Sequence, residues 1–206
     1  MPAPDKTDCV YTKQFCEENI WKLVDLLLSQ AVPATELDVV FISNQSRQVA
    51  VFNQQRGSLH QPLIWDYHVV LLHTTATDFF IYDFETLAHF PCPASHYFRL
   101  SFPPLIAEAA SYSPLFRLIP ASEYHQHFSS DRSHMLSHID ATAFPHYPAI
   151  QPANNAKAIT LQQYWDFNLQ LPDSSYILDL PEFFAKTSHA RYTPHTLDVV
   201  SDNRKK

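Results

Sequence analysis

The chain has 206 residues and a single glycine, Gly57, where average usage of about 7% would give about 14. Dinucleotide fingerprints, P-loops, nucleophile elbows and EF-hand loops all need glycine where the backbone turns with positive φ or closes on a ligand, so these four are excluded. The formal net charge of −7, from 21 acidic and 14 basic residues, disfavours a general nucleic-acid footprint, and no apolar run approaches the roughly 18 residues of a membrane span.

The hydrophobic fraction of 46% and aromatic fraction of 14% can fill one sizeable core, so the sequence reads as one domain over residues 1–206, with 1–8 and 200–206 as flexible ends. Sixteen prolines, with Asn and Asp, must make most of the turns. Cys9, Cys16 and Cys92 are odd in number and widely spaced, which suits free thiols in a reducing compartment. The N-terminus, Met1-Pro2-Ala3-Pro4-Asp5-Lys6, lacks the blocks of a signal peptide. The expectation is a cytoplasmic monomer, with the nucleus or export to another cell left open.

The first periodic segment runs from about Cys16 to Ser29, where Ile20, Leu23, Val24, Leu27 and Leu28 form the stripe of an amphipathic helix. Glu17 and Glu18 fall in its first turn, where the helix dipole favours anions, and Cys16 sits at its start. Strands are predicted at 38–43, 48–52, 64–73 and 78–84, all rich in β-branched and aromatic residues. Residues 90–104 read as Pro-rich and irregular, 115–119 as a strand, 122–128 as a short helix and 141–155 as a loop. Thr160-x-x-Gln163 has the form of a capping box, and 179–188 reads as a last helix with Pro181 in its first turn. The fold class is α+β, with the Cys16 helix packed on an antiparallel sheet.

The runs 64–73 and 78–84 flank Thr74-Thr75-Ala76-Thr77, a connection suited to a hairpin. A symmetric hairpin pairs positions whose numbers sum to 151, which sets His68 directly opposite Asp83 and His73 opposite Asp78, the two pairs on opposite faces. A carboxylate there can fix the imidazole tautomer and stabilise the imidazolium. His73–Asp78 reads as a structural pair near the hairpin mouth. Register is the decisive premise, because a slip of one residue separates the two side chains.

Such a pair needs a nucleophile, and Cys16 is the best candidate. A helix N-terminus and a neighbouring imidazolium both lower a thiol pKa, whereas Glu17 and Glu18 oppose this where they face the sulfur. Cys9 and Cys92 read as small hydrophobes. The spacings His125-x-His127 and His134-x-x-x-His138 hint at a metal, but neither Cys-x-x-Cys nor H-E-x-x-H accompanies them, so no metal site is assigned.

Longer words then carry a resemblance. Cys16-Glu17-Glu18-Asn19-Ile20-Trp21-Lys22-Leu23, Trp65-Asp66-Tyr67-His68-Val69-Val70-Leu71-Leu72-His73, Phe80-Ile81-Tyr82-Asp83 and Ser130-Asp131-Arg132-Ser133-His134-Met135 closely resemble the protein N-terminal glutamine amidohydrolases. Smaller agreements extend the likeness to about position 150, and the later third matches only loosely. The resemblance implies a papain- or transglutaminase-like scaffold with Cys16 as nucleophile, His68 as base and Asp83 as orienting acid. It also implies conversion of an N-terminal glutamine to glutamate with release of ammonia, without metal or organic cofactor, upstream of arginylation in an N-degron pathway. The implied partners are proteins or peptides with N-terminal glutamine, not nucleic acid or membrane. The loop differences, among them few glycines and Ala149 in place of a cysteine after Tyr147-Pro148, leave the triad untouched.

Specificity for a terminus calls for an acceptor for the α-ammonium group. Asp66, two residues before His68 on the same strand face, is the first nominee, and Glu17 and Asp131 are weaker ones. Asp131-Arg132-Ser133-His134 fits a loop-holding salt bridge as well as a site lining. The rival readings are a cysteine peptidase or transglutaminase-like acyl transferase, and an inactive protein-interaction module. Gly57 is expected to be a turn residue on which catalysis does not depend.

Overall fold

The computed structural model describes residues 3–57, 61–103, 110–136, 139–152 and 156–188. In chain order they form α1 (Cys16–Ser29), β1 (Leu37–Ser43), β2 (Val49–Val51), β3 (Leu63–Trp65), β4 (His68–Thr74), β5 (Phe79–Tyr82) and β6 (Cys92–Pro93). Next come α2 (Ala94–Ser101), β7 (Leu115–Pro120), α3 (Ala121–His127), β8 (Phe128–Ser129), β9 (Ile159–Thr160), α4 (Leu161–Trp165), β10 (Tyr176–Asp179) and α5 (Leu180–Thr187). Six strands make one sheet in the order β10-β7-β1-β4-β5-β6, and every pairing within it is antiparallel. The fold class is α+β, as expected.

Both faces of this sheet are covered, because its central strands are apolar on both sides. Along β1 and β4, Val39, Phe41, Val69 and Leu71 point to a layer built by Ile20, Leu23, Val24 and Leu27 of α1 with Tyr124 and Tyr164. Val40, Ile42, Val70 and Leu72 point to the opposite layer, where Tyr97 and Phe98 of α2 and Phe183 of α5 pack. This alternation is the period-two geometry of a pleated strand.

The sequence-predicted run 64–73 is not one strand. Leu63–Trp65 pairs with β2 in a separate two-stranded ribbon, and β4 begins only at His68. The break falls at Asp66-Tyr67, where side chains take over the backbone bonds: Asp66 Oδ1 accepts the Tyr67 N–H at 3.0 Å, and Ser43 Oγ–H donates to the Asp66 carbonyl at 2.6 Å. Asp66 therefore lies outside the strand that carries His68, which corrects the expectation of a shared strand face.

The hairpin register also differs from the symmetric one. The observed pairs, from Leu71↔Tyr82 to Thr74↔Phe79, sum to 153, so the connecting loop is residues 75–78. There Thr75 and Asp78 tie the turn through the Thr75 hydroxyl and backbone. His73 lies opposite Phe80 rather than Asp78, and its Nε2 meets Glu36 Oε2 at 3.4 Å. A shift of two residues preserves which face each side chain takes, so His68 and Asp83 are diagonal neighbours instead of direct opposites.

Residues 94–101, read as irregular, form α2. Pro93 in an extended conformation is its N-cap residue, and the helix is held by aromatic packing that local sequence does not announce. The capping box read at Thr160 is observed before α4, and the structure adds one at Asp179 before α5, with Pro181 in the first turn as read. At the N-terminus, Lys6–Asp8 form a 3-10 turn and Lys6 Nζ donates to the Phe84 carbonyl. Residues 200–206 and His138 lie outside the described residues.

Phe116 sits at the centre of the second layer, with ring centroids 4.5 Å from Phe183 and 5.5 Å from Phe102. Phe116→Ala is expected to cost about 3–5 kcal/mol, read as a lower urea midpoint at unchanged m-value. A loss below about 1 kcal/mol would contradict a packed aromatic layer here.

Candidate active site

The first turn of α1 is buried although it is polar. Cys16, Glu17, Glu18 and Asn19 retain 8%, 2%, 0% and 1% of their exposure, and each side chain has a partner. The Asn19 amide makes two 2.8 Å bonds with the backbone of Thr12, one to its carbonyl and one from its N–H, which fixes how the chain enters the helix. Glu18 takes a fork from Arg132, whose Nε and Nη2 each donate at 2.7 Å, and Ser130 Oγ–H donates to the same carboxylate. The Ser130–Met135 block is thereby pinned to α1 by the salt bridge that its sequence suggested.

Glu17 faces the sulfur. The Cys16 thiol lies 3.6 Å from Glu17 Oε2, which also accepts the Tyr67 hydroxyl at 3.1 Å. Burial first, and then the Glu17 charge, push the Cys16 thiol well above its usual range, while the Val69 backbone N–H at the sulfur pulls the other way. Burial raises Glu17 itself to about 7. The resting nucleophile candidate is therefore a neutral thiol, not the thiolate a bare helix terminus would favour.

His68 and Asp83 form a fully buried pair, with Nε2 2.8 Å from Oδ1. Asp83 accepts three further bonds: from Gln54 Nε2 at 3.0 Å, from the Tyr97 hydroxyl at 2.9 Å and from the Glu85 N–H at 2.8 Å. Burial alone would raise its pKa, but the His68 charge and these donors outweigh it and hold the carboxyl below the usual range. Trp65 stacks on the imidazole with centroids 4.6 Å apart. The other ring nitrogen, Nδ1, is buried without a hydrogen-bond partner.

Trp65 and Tyr97 belong to the layer opposite α1, whereas Cys16 belongs to the α1 layer. The dyad and the thiol are thus supplied from opposite faces of the sheet. They approach around the first residues of β4, where the amide of Val69, next to His68, meets the sulfur.

A cavity of about 540 Å³ opens on Cys16 and is walled by Gln14, Arg47, Arg56, Trp65, Asp66 and Trp165, among others. Asp66 is half exposed there and lies 3.4 Å from Arg47 Nη2. Asp131 does not belong to this wall: its Oδ1 accepts the Ser133 N–H and its Oδ2 a bond from Gln162, each at 2.9 Å. From that block Met135 reaches the cavity.

Of the histidines that hinted at a metal, His125 and His127 take separate partners. His125 stacks on Trp21 and meets Asp25, while His127 binds the Lys157 carbonyl.

Comparison with known proteins decides the family. The family model described as N-terminal glutamine amidase matches residues 11–187. The chain belongs to this family. A protein N-terminal glutamine amidohydrolase of Bos taurus is 35% identical over 199 residues, covering 92% of each chain. Those of Danio rerio and Homo sapiens are each 40% identical over 135 residues, covering 65% of this chain and 67% and 66% of theirs. The amidase match runs past position 150 to residue 187, into the later third whose likeness the sequence words leave loose.

Within this amidase chain, several residues at the site had no signal in the sequence reading. Gln54 and Tyr97 hold Asp83 from segments far from it in the chain, and α2, which carries Tyr97, was read as irregular. Pro93 just ahead of an Ala-Ser-His-Tyr run was the available clue. Gly57, expected to be a turn residue remote from catalysis, does close a turn, its N–H donating to the Gln54 carbonyl at 2.9 Å. An added Cβ would meet that carbonyl oxygen at 3.3 Å, so the lone glycine fits tightly behind a residue that supports Asp83.

Two outcomes test this electrostatic picture. In Glu17→Gln, iodoacetamide labelling of Cys16, read by peptide mass, is expected to match wild type below pH 7. Above pH 7 it should run several-fold faster, because only there does the wild-type carboxylate carry the charge that opposes the thiolate. Arg132→Met leaves the Glu18 charge buried with no cation beside it, and is expected to destabilise the fold by about 3–5 kcal/mol in chemical denaturation.

Proposed function

We propose that this protein hydrolyses the side-chain amide of an N-terminal glutamine in proteins and peptides, giving glutamate and ammonia, with Cys16, His68 and Asp83 as a catalytic triad. The observation that carries this reading is the buried His68–Asp83 pair with its second ring nitrogen unpartnered, at the start of β4 where the backbone of the next residue, Val69, meets the sulfur of Cys16 at the head of α1. Membership of the N-terminal glutamine amidase family supports the substrate. A helix that begins at the nucleophile, with His and Asp on neighbouring antiparallel strands or their ends, also supports a papain- or transglutaminase-like scaffold.

Substrate binding brings the glutamine amide carbon to the Cys16 sulfur. The thiol proton passes to His68 Nδ1 as sulfur attacks, and the oxyanion is met by the amides at the head of α1, the Cys16 N–H among them. The C–N bond then breaks, and the imidazolium returns its proton to the departing nitrogen, which leaves as ammonia. In the second half His68 takes a proton from water as it adds to the thioester; the C–S bond breaks, glutamate forms and the thiol is restored. Asp83, held by four donors, keeps Nε2 protonated and leaves Nδ1 as the working base. Every step uses groups of this chain and water.

The half-exposed Asp66 carboxylate in the Cys16 cavity is the acceptor for the α-ammonium group. Its placement outside the strand suits this role, because it faces the opening while His68 stays buried. The three cysteines are free thiols, which fits a reducing, cytoplasmic setting and an N-degron role upstream of arginylation.

Peptides differing only in glutamine at position one or position two separate the readings. Ammonia release with a gain of about one dalton, confined to position one and abolished in Cys16→Ala, is the expected result. Peptide cleavage or amine incorporation would instead favour a peptidase or transglutaminase. Asp83→Asn should lower kcat by about 10²-fold or more by disturbing the imidazole tautomer. Asp66→Asn should raise KM and weaken the preference for terminal over internal glutamine; no change in either would remove Asp66 from the role.

A further inference from the structure

The thioester of the proposed mechanism carries its own competing nucleophile. The terminal residue, once joined to Cys16 through its side chain, still has a free α-nitrogen, placed so that attack on the thioester carbon closes a five-membered lactam. In that step the C–N bond forms as the C–S bond breaks. The nitrogen gives one proton to water on becoming an amine and a second to the departing sulfur, which restores the thiol. Well-oriented intramolecular attack has an effective molarity of about 10⁵ M or more, far above the molarity of water. An α-ammonium group left to itself, with a pKa of about 7.7–8.0, is about one-tenth neutral at pH 7. Hydrolysis therefore needs a group in the site that restrains this nitrogen.

Asp66 brings a carboxylate to the wall that also holds Cys16, Arg47 and Arg56. Its position is fixed on two sides: Ser43 Oγ–H donates to its carbonyl at 2.6 Å, and its Oδ1 accepts the Tyr67 N–H at 3.0 Å. The other oxygen, Oδ2, faces Arg47 Nη2 at 3.4 Å, and both side chains are about half exposed. A contact of this length and exposure is weak and readily exchanged.

Arg47 does not depend on that contact for its place. Its guanidinium lies 4.5 Å from the Trp165 ring centroid. Its backbone, at a left-handed φ of 53°, is tied by Asn44, whose carbonyl accepts the Arg47 N–H and whose Oδ1 accepts the Gln48 N–H, each at 3.0 Å. A substrate ammonium group can thus take Oδ2 while the wall stays as it is. The Asp66 charge also reaches the sulfur, since after burial and Glu17 it is a further cause that raises the Cys16 thiol. The carboxylate therefore lies within electrostatic range of the thioester. The Arg47 and Arg56 charges oppose another cation in this cavity, so it is the pairing with Asp66 that keeps the nitrogen protonated.

We propose that Asp66 selects the product of the thioester: it holds the substrate's α-nitrogen as an ammonium group away from the thioester carbon, so that water and not that nitrogen completes the reaction. This rests on the deamidase reading above, with Asp66 as the ammonium acceptor. Without the carboxylate the same triad becomes a cyclase, releasing ammonia in the first half as before and the lactam in the second.

The test is the product ratio from one peptide that begins with glutamine, read by mass at pH 7. The lactam is lighter than the substrate by about 17 dalton, whereas the glutamate product is heavier by about one. Closure of the free peptide is measured with Cys16→Ala and subtracted. Wild type is expected to give glutamate. Asp66→Asn and Asp66→Ser each keep an oxygen for the Tyr67 N–H but carry no charge. In both, the lactam share should rise about tenfold or more, because an opposite charge at contact distance moves a pKa by about 1–3 units. The share is internal to each preparation, so partial unfolding or weaker binding leaves it unchanged. Glutamate alone from both variants overturns the proposal and leaves the deamidase reading standing. Loss of all turnover in both also overturns it, because Asp66 would then act before the thioester forms. Lactam as the main wild-type product, or no ammonia from the wild type, overturns the deamidase reading and the proposal with it.

Discussion

The structure depends on burying the polar first turn of α1. A thiol, two carboxylates and a carboxamide in consecutive positions leave water together, and desolvated groups of this kind are tolerated only when each is paired. The partners come from distant parts of the chain: Thr12 for Asn19, Tyr67 for Glu17, Ser130 and Arg132 for Glu18, with the Tyr124 hydroxyl on the Glu17 carbonyl. Satisfying this turn therefore draws the segment before α1, the start of β4, α3 and the 130–135 block to one place. Position and chemistry are coupled, because the groups that allow Cys16 to be buried are also the groups that surround it.

That surrounding sets the resting state of the thiol. A carboxylate 3.6 Å from the sulfur and the loss of solvent both favour the protonated form, and the helix terminus does not reverse them. In the proposed mechanism proton transfer therefore belongs to the reaction, with His68 as the acceptor. The dyad suits this task because Asp83 is held ionised by four donors and one imidazole nitrogen is left without a protein partner. The pair is fully buried, with Trp65 stacked on the imidazole and the Tyr97 hydroxyl on the carboxylate.

Conformational strain gathers at the same place. Among the described residues, Gln14, Ala31, Arg47 and Asn53 have positive φ although none is glycine, and two of these, Gln14 and Arg47, wall the cavity at Cys16. The lone glycine is spent elsewhere: Gly57 has no positive φ but lies so close to the Gln54 carbonyl that a side chain would crowd it. Scarcity of glycine in the sequence thus does not mean a lack of tight turns; Asn44 and its hydrogen bonds do for the turn at Arg47 what glycine would do in another chain.

The sequence by itself determined the elements whose signals are local. The apolar spacing of α1 and the capping residues of α4 and α5 each depend on neighbours within a turn. The face shared by His68 and Asp83 was legible too, because face depends only on whether a register shift is odd or even, and the two-residue difference left it unchanged. Tertiary structure decided what local signals cannot carry. It broke the run 64–73 at Asp66, where the chain leaves one sheet for another, and turned 94–101 into a helix by packing it on aromatic rings. It also put Gln54 and Tyr97 on Asp83, and set Arg47 and Arg56 beside Asp66 and the thiol. Those contacts join residues far apart in the chain, and only the closing of the sheet and its two layers brings them within hydrogen-bond and stacking distance.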